Sequence, residues 1–492
     1  MRLKRDIGAG FLNSVWSAAV NLACVPVYVH FLGIEAYGII GFYATTQALM
    51  QLLDLGLSPT INREVARCAA LGKPAEAANL LHTLSFVYWG VALAIGASIF
   101  LLAGPIAAGW LQSRSLPAST IERSVALLGL VIACRWPIGL YQGVLLGSLR
   151  LTVSSGINML MVTLANGGAI LVLALVTPRI EAFFAWQALV GLLYALTMRY
   201  AAWRALDVSA APRFDAAGLM KTWRFAAGMS AIAVSGVILM QIDKVILSRM
   251  LPLDDFGRYA LAWAVASGLY MILTPTFNII YPRMSAFVAK GENDLLAEFY
   301  RTGTRVLSAA LFPVAATAAV FSHELLLLWT RDAELARSAA PLVSFVLIGT
   351  ALNGAMHFPY ALQLASGFTR LPLTINGILL ATMAPLTVAL ALKFGALGGA
   401  MAWASLNFVY LLVGTWLTHR HLLRDLGWSW LLFDVAAPAA LATATIWTLG
   451  RAIRGLGYPS ATTFLMACAL AMLCSAGLLL LTRHIRLTMR LP

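Results

Sequence analysis

Long apolar runs dominate this chain, and short polar stretches separate them. A helix that crosses a bilayer needs about 20 mostly apolar residues. Fourteen runs meet this length and predict spanning helices near residues 8–32, 37–57, 80–103, 123–147, 151–176, 182–203, 226–249, 257–281, 303–329, 341–364, 372–393, 397–418, 431–449 and 460–482. No ten-residue segments of alternating polarity occur, which argues against a membrane β-barrel. The predicted fold class is an all-α polytopic membrane protein.

An eight-residue pattern occurs twice, 219 positions apart. Phe31–Gly38 reads FLGIEAYG, and Met250–Gly257 reads MLPLDDFG. The same ungapped offset also pairs Gly72 with Gly291. Transporters built from two pseudo-symmetric bundles show internal repeats of this kind. The pattern therefore predicts two related halves.

The repeat suggests a division of the chain into three parts. We expect a first six-span lobe at residues 1–206, a second six-span lobe at 207–424, and an additional helical pair at 425–492. The loops between the spans are short. None is large enough to house a catalytic domain, so we do not expect an enzyme.

Composition and charge place the chain in a membrane with a defined orientation. Apolar residues make up 61% and charged residues 11%, whereas soluble domains carry about 25% charge. With the N-terminus in the cytoplasm, 22 of the 34 Lys and Arg residues fall inside and 10 outside. The positive-inside rule then places both termini in the cytoplasm. The net charge of +14 reflects this topology and attraction to membrane lipids; no soluble basic domain indicates nucleic-acid binding.

A basic residue lies deep within the fourth predicted span. Arg135 is about twelve residues from either end, too far for its side chain to reach the membrane surface. Exposure to lipid there would cost from about 2.5 to more than 10 kcal/mol. Gln142 lies further along the same polar face, and Asn21 belongs to a polar stripe on the first span. These three residues are predicted to line a substrate cavity; bonding between packed helices is the alternative for such polar groups.

The second half carries a counterpart of the Arg135 region. The tripeptide Arg135-Trp136-Pro137 is matched by a tripeptide that begins with His357 and also contains an aromatic residue and a proline. We therefore expect Arg135 and His357 to share one cavity. A histidine held in the protein core is the alternative for His357.

Further charged residues occupy span ends and the seventh span. Asp243 and Lys244 are adjacent, so their side chains should point about 100° apart and not neutralise one another. We expect both to be substrate-binding residues, and a structural contact with the membrane surface is the alternative for Lys244. Asp54 either pairs with Arg63 or orders the loop after span two. Asp54, Arg63 and Arg283 form the predicted cytoplasmic gate.

The histidines, the cysteines and the glycines of the sequence indicate neither a metal site nor a cofactor site. The segment with His419 and His421 is expected to be a solvated cytoplasmic loop rather than a metal site. The five cysteines show no paired spacing, so neither disulfides nor a metal framework is expected. A Gly-rich nucleotide-binding loop is missing from the sequence, and we expect no cofactor.

Several segments carry a family resemblance. The segment Asp54–Arg67 reads DLGLSPTINREVAR and follows Phe31–Gly38, while Ile242–Leu247 reads IDKVIL and precedes Leu253–Tyr259, LDDFGRY. These segments resemble the polysaccharide transport family, the oligosaccharide flippases of the multidrug/oligosaccharidyl-lipid/polysaccharide exporter superfamily. The resemblance covers most of residues 1–420.

The resemblance implies two six-helix lobes around a basic central cavity. It implies alternating access that moves undecaprenyl-pyrophosphate-linked oligosaccharide from the cytoplasmic to the periplasmic leaflet of the bacterial inner membrane. The products would be O-antigen, capsule or exopolysaccharide. A polysaccharide polymerase and a chain-length regulator are the partners it suggests.

Three alternatives stay open. A cation-coupled multidrug antiporter of the same superfamily would carry acidic residues within its lobes, and the first span has no carboxylate beyond Asp6. A lipid II flippase also has fourteen spans, but such proteins carry an arginine inside the first span, which this chain lacks. A membrane glycosyltransferase or polymerase would need carboxylates in a sizeable external loop.

Overall fold

The chain is helical almost throughout. The computed structural model describes residues 2–54, 56–207, 211–215, 234–368 and 370–488. The helices are α1 Arg2–Met50, α2 Leu57–Ala70, α3 Pro74–Gly109, α4 Ala118–Arg135, α5 Ile138–Gly147, α6 Leu151–Leu175, α7 Ile180–Leu206, α8 234–250, α9 Leu253–Ser267, α10 Tyr270–Lys290, α11 Asn293–Val320, α12 Ser322–Thr330, α13 Ala333–Ala355, α14 His357–Ala365, α15 Arg370–Phe394, α16 Ala396–Val409, α17 Thr415–Leu422, α18 Ala437–Gly455 and α19 Ser460–Thr488. Two π-helical segments, Tyr410–Gly414 and Trp430–Ala436, precede α17 and α18. The predicted all-α polytopic class is confirmed.

Within the part of the chain that the structure describes, eleven helices are long and apolar enough to cross a membrane, or twelve if α9 and α10, which are bent by 48°, form one span. One of the eleven, Gly8–Asp54, has 47 residues, roughly 70 Å at 1.5 Å per residue. Gly33 interrupts this helix with φ 79°, a backbone conformation that glycine adopts without steric cost. The segment is therefore long enough for two spans. Residues 226–233 of the predicted seventh span lie outside the described residues, and the count of fourteen stays a prediction.

Two compact units divide the chain, Met1–Gly257 and Arg258–Pro492. In the first unit α3 packs on α4, α1 on α6, and α4 on α7. In the second unit α13 packs on α16, and α11 packs on α13, α18 and α19. The predicted lobes at 1–206 and 207–424, with the pair at 425–492, stay predictions.

The two copies of the eight-residue pattern contact each other within the first unit. A Cβ atom at Gly38 would overlap the backbone of Leu253, and one at Gly257 would overlap the backbone of Ile34. Leu253 and Gly257 are the repeat counterparts of Ile34 and Gly38. Such an exchange of equivalent positions is what a two-fold relation produces. The sequence repeat therefore corresponds to a pseudo-two-fold contact at these glycines.

A loop, residues 110–117, binds both copies of the pattern; we call it the outer clasp because this end of the spans is the predicted outer side. Glu35 accepts hydrogen bonds from Ser113 Oγ at 2.7 Å, from Arg114 N at 2.6 Å and from Ser115. Arg114 in turn pairs with Asp254 at 3.0 Å. The loop thus links the break in α1 to the start of α9.

The helix α2 lies close against α5. A Cβ atom at Gly143 would come within 2.6 Å of the Ser58 carbonyl oxygen and 2.7 Å of Ile61 Cγ2. One at Gly147 would come within 2.9 Å of Val65 Cβ. Small residues allow helices to approach in this way. The contact fixes the position of the chain that follows Asp54.

The C-terminal helical pair is tied to the rest of the second unit at two points. The carboxylate of Asp434, which is fully buried, pairs with Arg301 Nε at 2.9 Å and Arg305 Nε at 2.5 Å. Glu324 accepts two hydrogen bonds from Arg454, at 2.5 and 2.9 Å. The pair therefore packs on α11 and α12 through ion pairs as well as apolar contacts.

The expectation of a solvated histidine loop is wrong for His419. Its side chain is buried, with Nε2 3.0 Å from the Tyr300 hydroxyl and Nδ1 2.9 Å from the Gly427 carbonyl oxygen. Trp430 packs edge-on against its ring. The side chain of His419, in the last turn of the span, therefore points into the interior of the second unit, while His421 is exposed.

Candidate functional site

A cavity of about 940 Å³ opens among α1, α2 and α4 to α8 of the first unit. This volume lies at the upper end of the range of ligand pockets, about 300–1,000 Å³. Its polar wall residues are Asn21, Gln47, Gln51, Asp54, Ser58, Thr60, Arg63, Arg135, Gln142, Asn158, Asn166 and Tyr194. The structure thus brings together five of the nine residues singled out in the sequence. Their roles in transport stay predictions.

Arg135 lies on this wall and is held by two neutral partners. Its Nη1 donates to the Tyr43 hydroxyl at 3.0 Å, and its Nη2 donates to Gln187 Oε1 at 2.5 Å. Gln187 is itself fixed by a bond from Nε2 to the Ala165 carbonyl oxygen at 3.2 Å. Gly191 leaves room for the guanidinium, since a Cβ atom there would come within 3.1 Å of Arg135 Cγ.

The charge of Arg135 is therefore positioned without being neutralised. Among the described residues, no carboxylate lies within 4.0 Å of its guanidinium, and its buried Nε makes no hydrogen bond. Charged donors bind anionic oxygens strongly, and a guanidinium can grip two at once. The arrangement is suited to an anionic ligand in the cavity.

Asparagine side chains join α1 to α6 along the same cavity. Asn158 Nδ2 donates to Asn13 Oδ1 at 2.7 Å, and Asn166 Nδ2 donates to Asn21 Oδ1 at 3.1 Å. Tyr194 donates to Asn158 Oδ1 at 2.8 Å. Because Asn21, Asn158 and Asn166 also line the cavity, these amides both bond the helices together and face the lumen.

Asp54 orders the chain between α1 and α2. Its carboxylate accepts hydrogen bonds from Ser58 Oγ at 2.8 Å, from Ser58 N at 3.2 Å and from the Tyr88 hydroxyl. Of the two roles considered for Asp54, ordering of the loop is the one seen. Arg63 is exposed on α2, also on the cavity wall. These residues mark the predicted cytoplasmic end of the cavity.

The expectation that Asp243 and Lys244 do not neutralise one another is wrong, whereas their role in substrate binding stays a prediction. Lys244 Nζ lies 3.2 Å from Asp243 Oδ1 and also donates to the Met240 carbonyl oxygen at 2.7 Å. The lysine side chain is long enough to fold back over the preceding turn, so the adjacent charges do meet. Neither residue is among the described residues that line the cavity.

The remaining predicted site residues belong to the second unit. His357 begins α14 and packs edge-on against Phe277, with ring centres 5.8 Å apart. Arg283 is exposed on α10, and its Cζ lies 5.9 Å from the centre of the Phe299 ring. A shared cavity for Arg135 and His357, and a gate that includes Arg283, stay predictions.

Sequence reasoning missed the residues that hold the predicted ones. Tyr43 and Gln187 position Arg135, Tyr88 holds Asp54, and Asn158 and Asn166 complete the polar wall. The spacing of the two asparagines, eight positions apart on one predicted helix, was a usable signal. No local pattern identifies Tyr43 or Gln187, because their roles depend on neighbours distant in sequence.

Solved transporter structures share this fold. A lipid II flippase, MurJ, in an inward closed conformation aligns with a TM-score of 0.73 and 12% identity over 97% of this chain and 99% of its own. An inward-facing multidrug resistance MATE family transporter of the MOP superfamily aligns with a TM-score of 0.62 and 15% identity, over 82% of this chain and 95% of its own. A mutant of the Vibrio cholerae MATE transporter VcmN aligns with a TM-score of 0.59 and 16% identity, over 86% of this chain and 97% of its own. At these identities the alignments show the fold alone.

Sequence families give a closer assignment. Among curated proteins, none matches this chain. The MatE family pattern matches residues 230–389. The pattern described as "Polysaccharide biosynthesis protein" matches residues 3–288, more than half of the chain. The predicted family resemblance is thereby confirmed: the chain belongs to the polysaccharide biosynthesis protein family.

Proposed function

We propose that this protein is a flippase for lipid-linked oligosaccharides. It moves undecaprenyl-pyrophosphate-linked glycan from the cytoplasmic to the periplasmic leaflet of a bacterial inner membrane, for synthesis of a cell-surface polysaccharide. The observation that supports this most directly is the charge of Arg135, held by neutral partners on the wall of a cavity of about 940 Å³.

The chemistry of the wall suits such a ligand. Each sugar hydroxyl costs several kcal/mol to place in hydrocarbon without a hydrogen-bond partner. The amides of Asn21 and Gln142 can replace water as donors and acceptors. The Nδ2 groups of Asn158 and Asn166 already donate within the protein, so only their oxygens can accept from a ligand. Arg135 supplies the positive charge that a pyrophosphate or an acidic sugar requires. The lipid tail would stay outside, among the membrane lipids.

An alternating-access cycle would open the cavity to one side of the membrane at a time. The cavity wall includes Asp54 and Arg63 at the predicted cytoplasmic end. At the predicted outer end, the outer clasp joins Glu35 to Asp254 through Arg114. In a cell, an inside-negative potential of 100 mV favours outward movement of each negative charge by about 2.3 kcal/mol.

The test is lipid translocation in proteoliposomes that contain the purified protein and an undecaprenyl-pyrophosphate-linked oligosaccharide. Arg135→Ala should abolish translocation because the site loses its charge. Arg135→Lys should retain only part of it, because an ammonium lacks the planar pair of donors. The matched control is Arg123→Ala, which removes an exposed arginine from the same helix. Normal translocation by folded Arg135→Ala protein would refute the proposed role.

Lipid II translocation is the second candidate, because the MurJ alignment extends over nearly the whole chain. Lipid II and the lipid-linked oligosaccharides proposed above share the polyprenyl pyrophosphate group and differ in their sugars. The same proteoliposomes loaded with lipid II separate the two: translocation of lipid II but not of other glycans would replace the first candidate.

A further inference from the structure

A second cavity, of about 690 Å³, lies in the second unit beside α17 and the connection that follows it. One candidate span ends at Leu422 and the next begins at Trp430. The cavity therefore lies where the chain leaves and re-enters the membrane. Arg420, Arg424 and Trp428 are among its lining residues.

Two guanidinium groups are fixed in this cavity. Arg420 Cζ lies 5.4 Å from the centre of the Trp416 ring, a cation–π contact that restrains the side chain. Arg424 Nε donates to the Arg420 carbonyl oxygen at 3.1 Å. Among the described side chains, no carboxylate lies within 4.0 Å of either guanidinium. The cavity therefore presents two positive charges held at a membrane boundary.

An exposed apolar surface adjoins these charges. Trp428 is 50% exposed, Leu432 55% and Phe433 65%. Tryptophan is enriched at membrane–water interfaces because it is apolar with one polar group. A cationic pocket beside an apolar surface has the chemistry of a lipid site: phosphate in the pocket and acyl chains along the apolar side chains.

We propose that this pocket binds the phosphate headgroup of an anionic membrane phospholipid, with acyl chains over Trp428, Leu432 and Phe433. Basic pockets at the cytoplasmic ends of membrane helices bind anionic headgroups in this way. The site lies outside the cavity of the first unit and does not depend on the transported substrate. Asp434 directly follows this surface and pairs with Arg301 and Arg305.

The experiment measures phospholipid binding to the purified full chain in a neutral detergent by native mass spectrometry. Phosphatidylglycerol should bind more tightly than zwitterionic phosphatidylcholine of the same acyl composition. The double variant Arg420→Ala/Arg424→Ala should bind phosphatidylglycerol about 30-fold more weakly, at about a kcal/mol for each basic residue. The matched control, Arg337→Ala/Lys393→Ala, removes two exposed charges from the same unit and should bind normally.

Three results would overturn the proposal. Equal affinity for the two lipids would exclude recognition of the anionic headgroup, and undiminished binding of phosphatidylglycerol by the double variant would exclude these arginines. Displacement of the lipid by an equal concentration of inorganic phosphate would make free phosphate the ligand. If the double variant does not fold, Leu432→Ser/Phe433→Ser keeps both arginines and should also weaken lipid binding; an unchanged affinity would then refute the site.

Discussion

At the level of single residues, Arg135 owes its position to two uncharged side chains. Tyr43 and Gln187 each accept one hydrogen bond from it, so they orient the guanidinium without cancelling its charge. A carboxylate in either place would bind the arginine more strongly and compete with an anionic substrate. Arg135 can therefore lie deep in its predicted span, be held by hydrogen bonds, and still carry a charge that is available to a ligand.

Removing one of these partners should weaken transport without abolishing it. A hydrogen bond to a charged group contributes about 1.5–3 kcal/mol, so Tyr43→Phe or Gln187→Leu should lower translocation at least about tenfold. Either change made together with Arg135→Lys, which retains part of the activity, should lower translocation less than it does alone, because both partners act through the guanidinium group. Proteoliposome translocation measures the effect, and Tyr458→Phe, an exposed tyrosine, is the control. Additive losses in the double variants would show that Tyr43 and Gln187 act independently of Arg135.

Arg135 could be predicted from sequence as a cavity residue, because a charged residue in the middle of a long apolar run is visible without any knowledge of its neighbours in the fold. Gln142 and Asn21 followed from helical periodicity on the same faces. The contact between Lys244 and Asp243 was predicted wrongly, because helical geometry fixes Cβ directions and not the path of a long flexible side chain. Tyr43 and Gln187 lie 92 and 52 positions from Arg135, a separation at which local patterns carry no information.

At the level of elements, the spans were predictable because apolar length is a property of a single helix. The docking of α2 on α5 was not, because it depends on a fit between two surfaces. Of the small residues near Arg135 on α5, Gly139 lines the cavity, whereas Gly143 lies against Ser58 and Ile61.

The contact between α2 and α5 predicts an unusual response to alanine. In a helix, Gly→Ala normally stabilises by up to about 1 kcal/mol. Gly143→Ala should instead destabilise by about 1–3 kcal/mol, because the new methyl group would overlap Ser58 and Ile61. The control is Gly156→Ala in α6, where nothing lies within 4 Å of the added atom. Thermal unfolding in detergent distinguishes them, and equal Tm values for the two variants would contradict the packing.

The ion pair between α12 and α18 predicts a pH dependence. Burial tends to raise the pKa of Glu324, but the hydrogen bonds and charge of Arg454 outweigh it and lower the pKa below the ordinary value of 4.5. A carboxyl group whose pKa is lowered by folding stabilises the protein above 4.5, and this contribution is lost as the pH falls through the lowered pKa. The Tm difference between wild type and Glu324→Gln should therefore be present at pH 7 and shrink below pH 4.5. Glu334→Gln, which removes an exposed carboxylate, is the control for the substitution itself; a difference that stays constant from pH 7 down to the lowest pH at which the protein remains folded would contradict the assignment.

At the level of the whole molecule, the repeat gives the clearest link between sequence and structure. The offset of 219 positions was visible in the sequence, and the reciprocal contacts of Gly38 with Leu253 and of Gly257 with Ile34 give it a physical meaning. The first compact unit extends to Gly257, and these contacts, together with the outer clasp, hold the start of α9 against α1. A repeat identifies equivalent segments; the contacts between its copies depend on side chains that differ between them.

The outer clasp predicts where movement is required. An alternating-access flippase must open at the outer end, and Arg114 must then release Asp254. The variant Arg114→Cys/Asp254→Cys can be joined with a short thiol-specific crosslinker in a background without the native cysteines, which are Cys24, Cys68, Cys134, Cys468 and Cys474. Crosslinking should stop translocation in proteoliposomes, and cleavage of the linker should restore it.

Two controls separate a locked clasp from chemical damage. Arg114→Cys alone, treated with the same reagent, should still translocate substrate. Trp16→Cys/Thr163→Cys joins α1 to α6 at a position where the native side chains are already hydrogen-bonded at 2.9 Å. Because both helices belong to the first repeat, they should move together, and this crosslink should leave translocation intact. Normal translocation by protein whose Arg114 and Asp254 positions are fully crosslinked would show that the outer clasp stays closed throughout the cycle, and the substrate would then have to leave by a route that does not part α1 from α9.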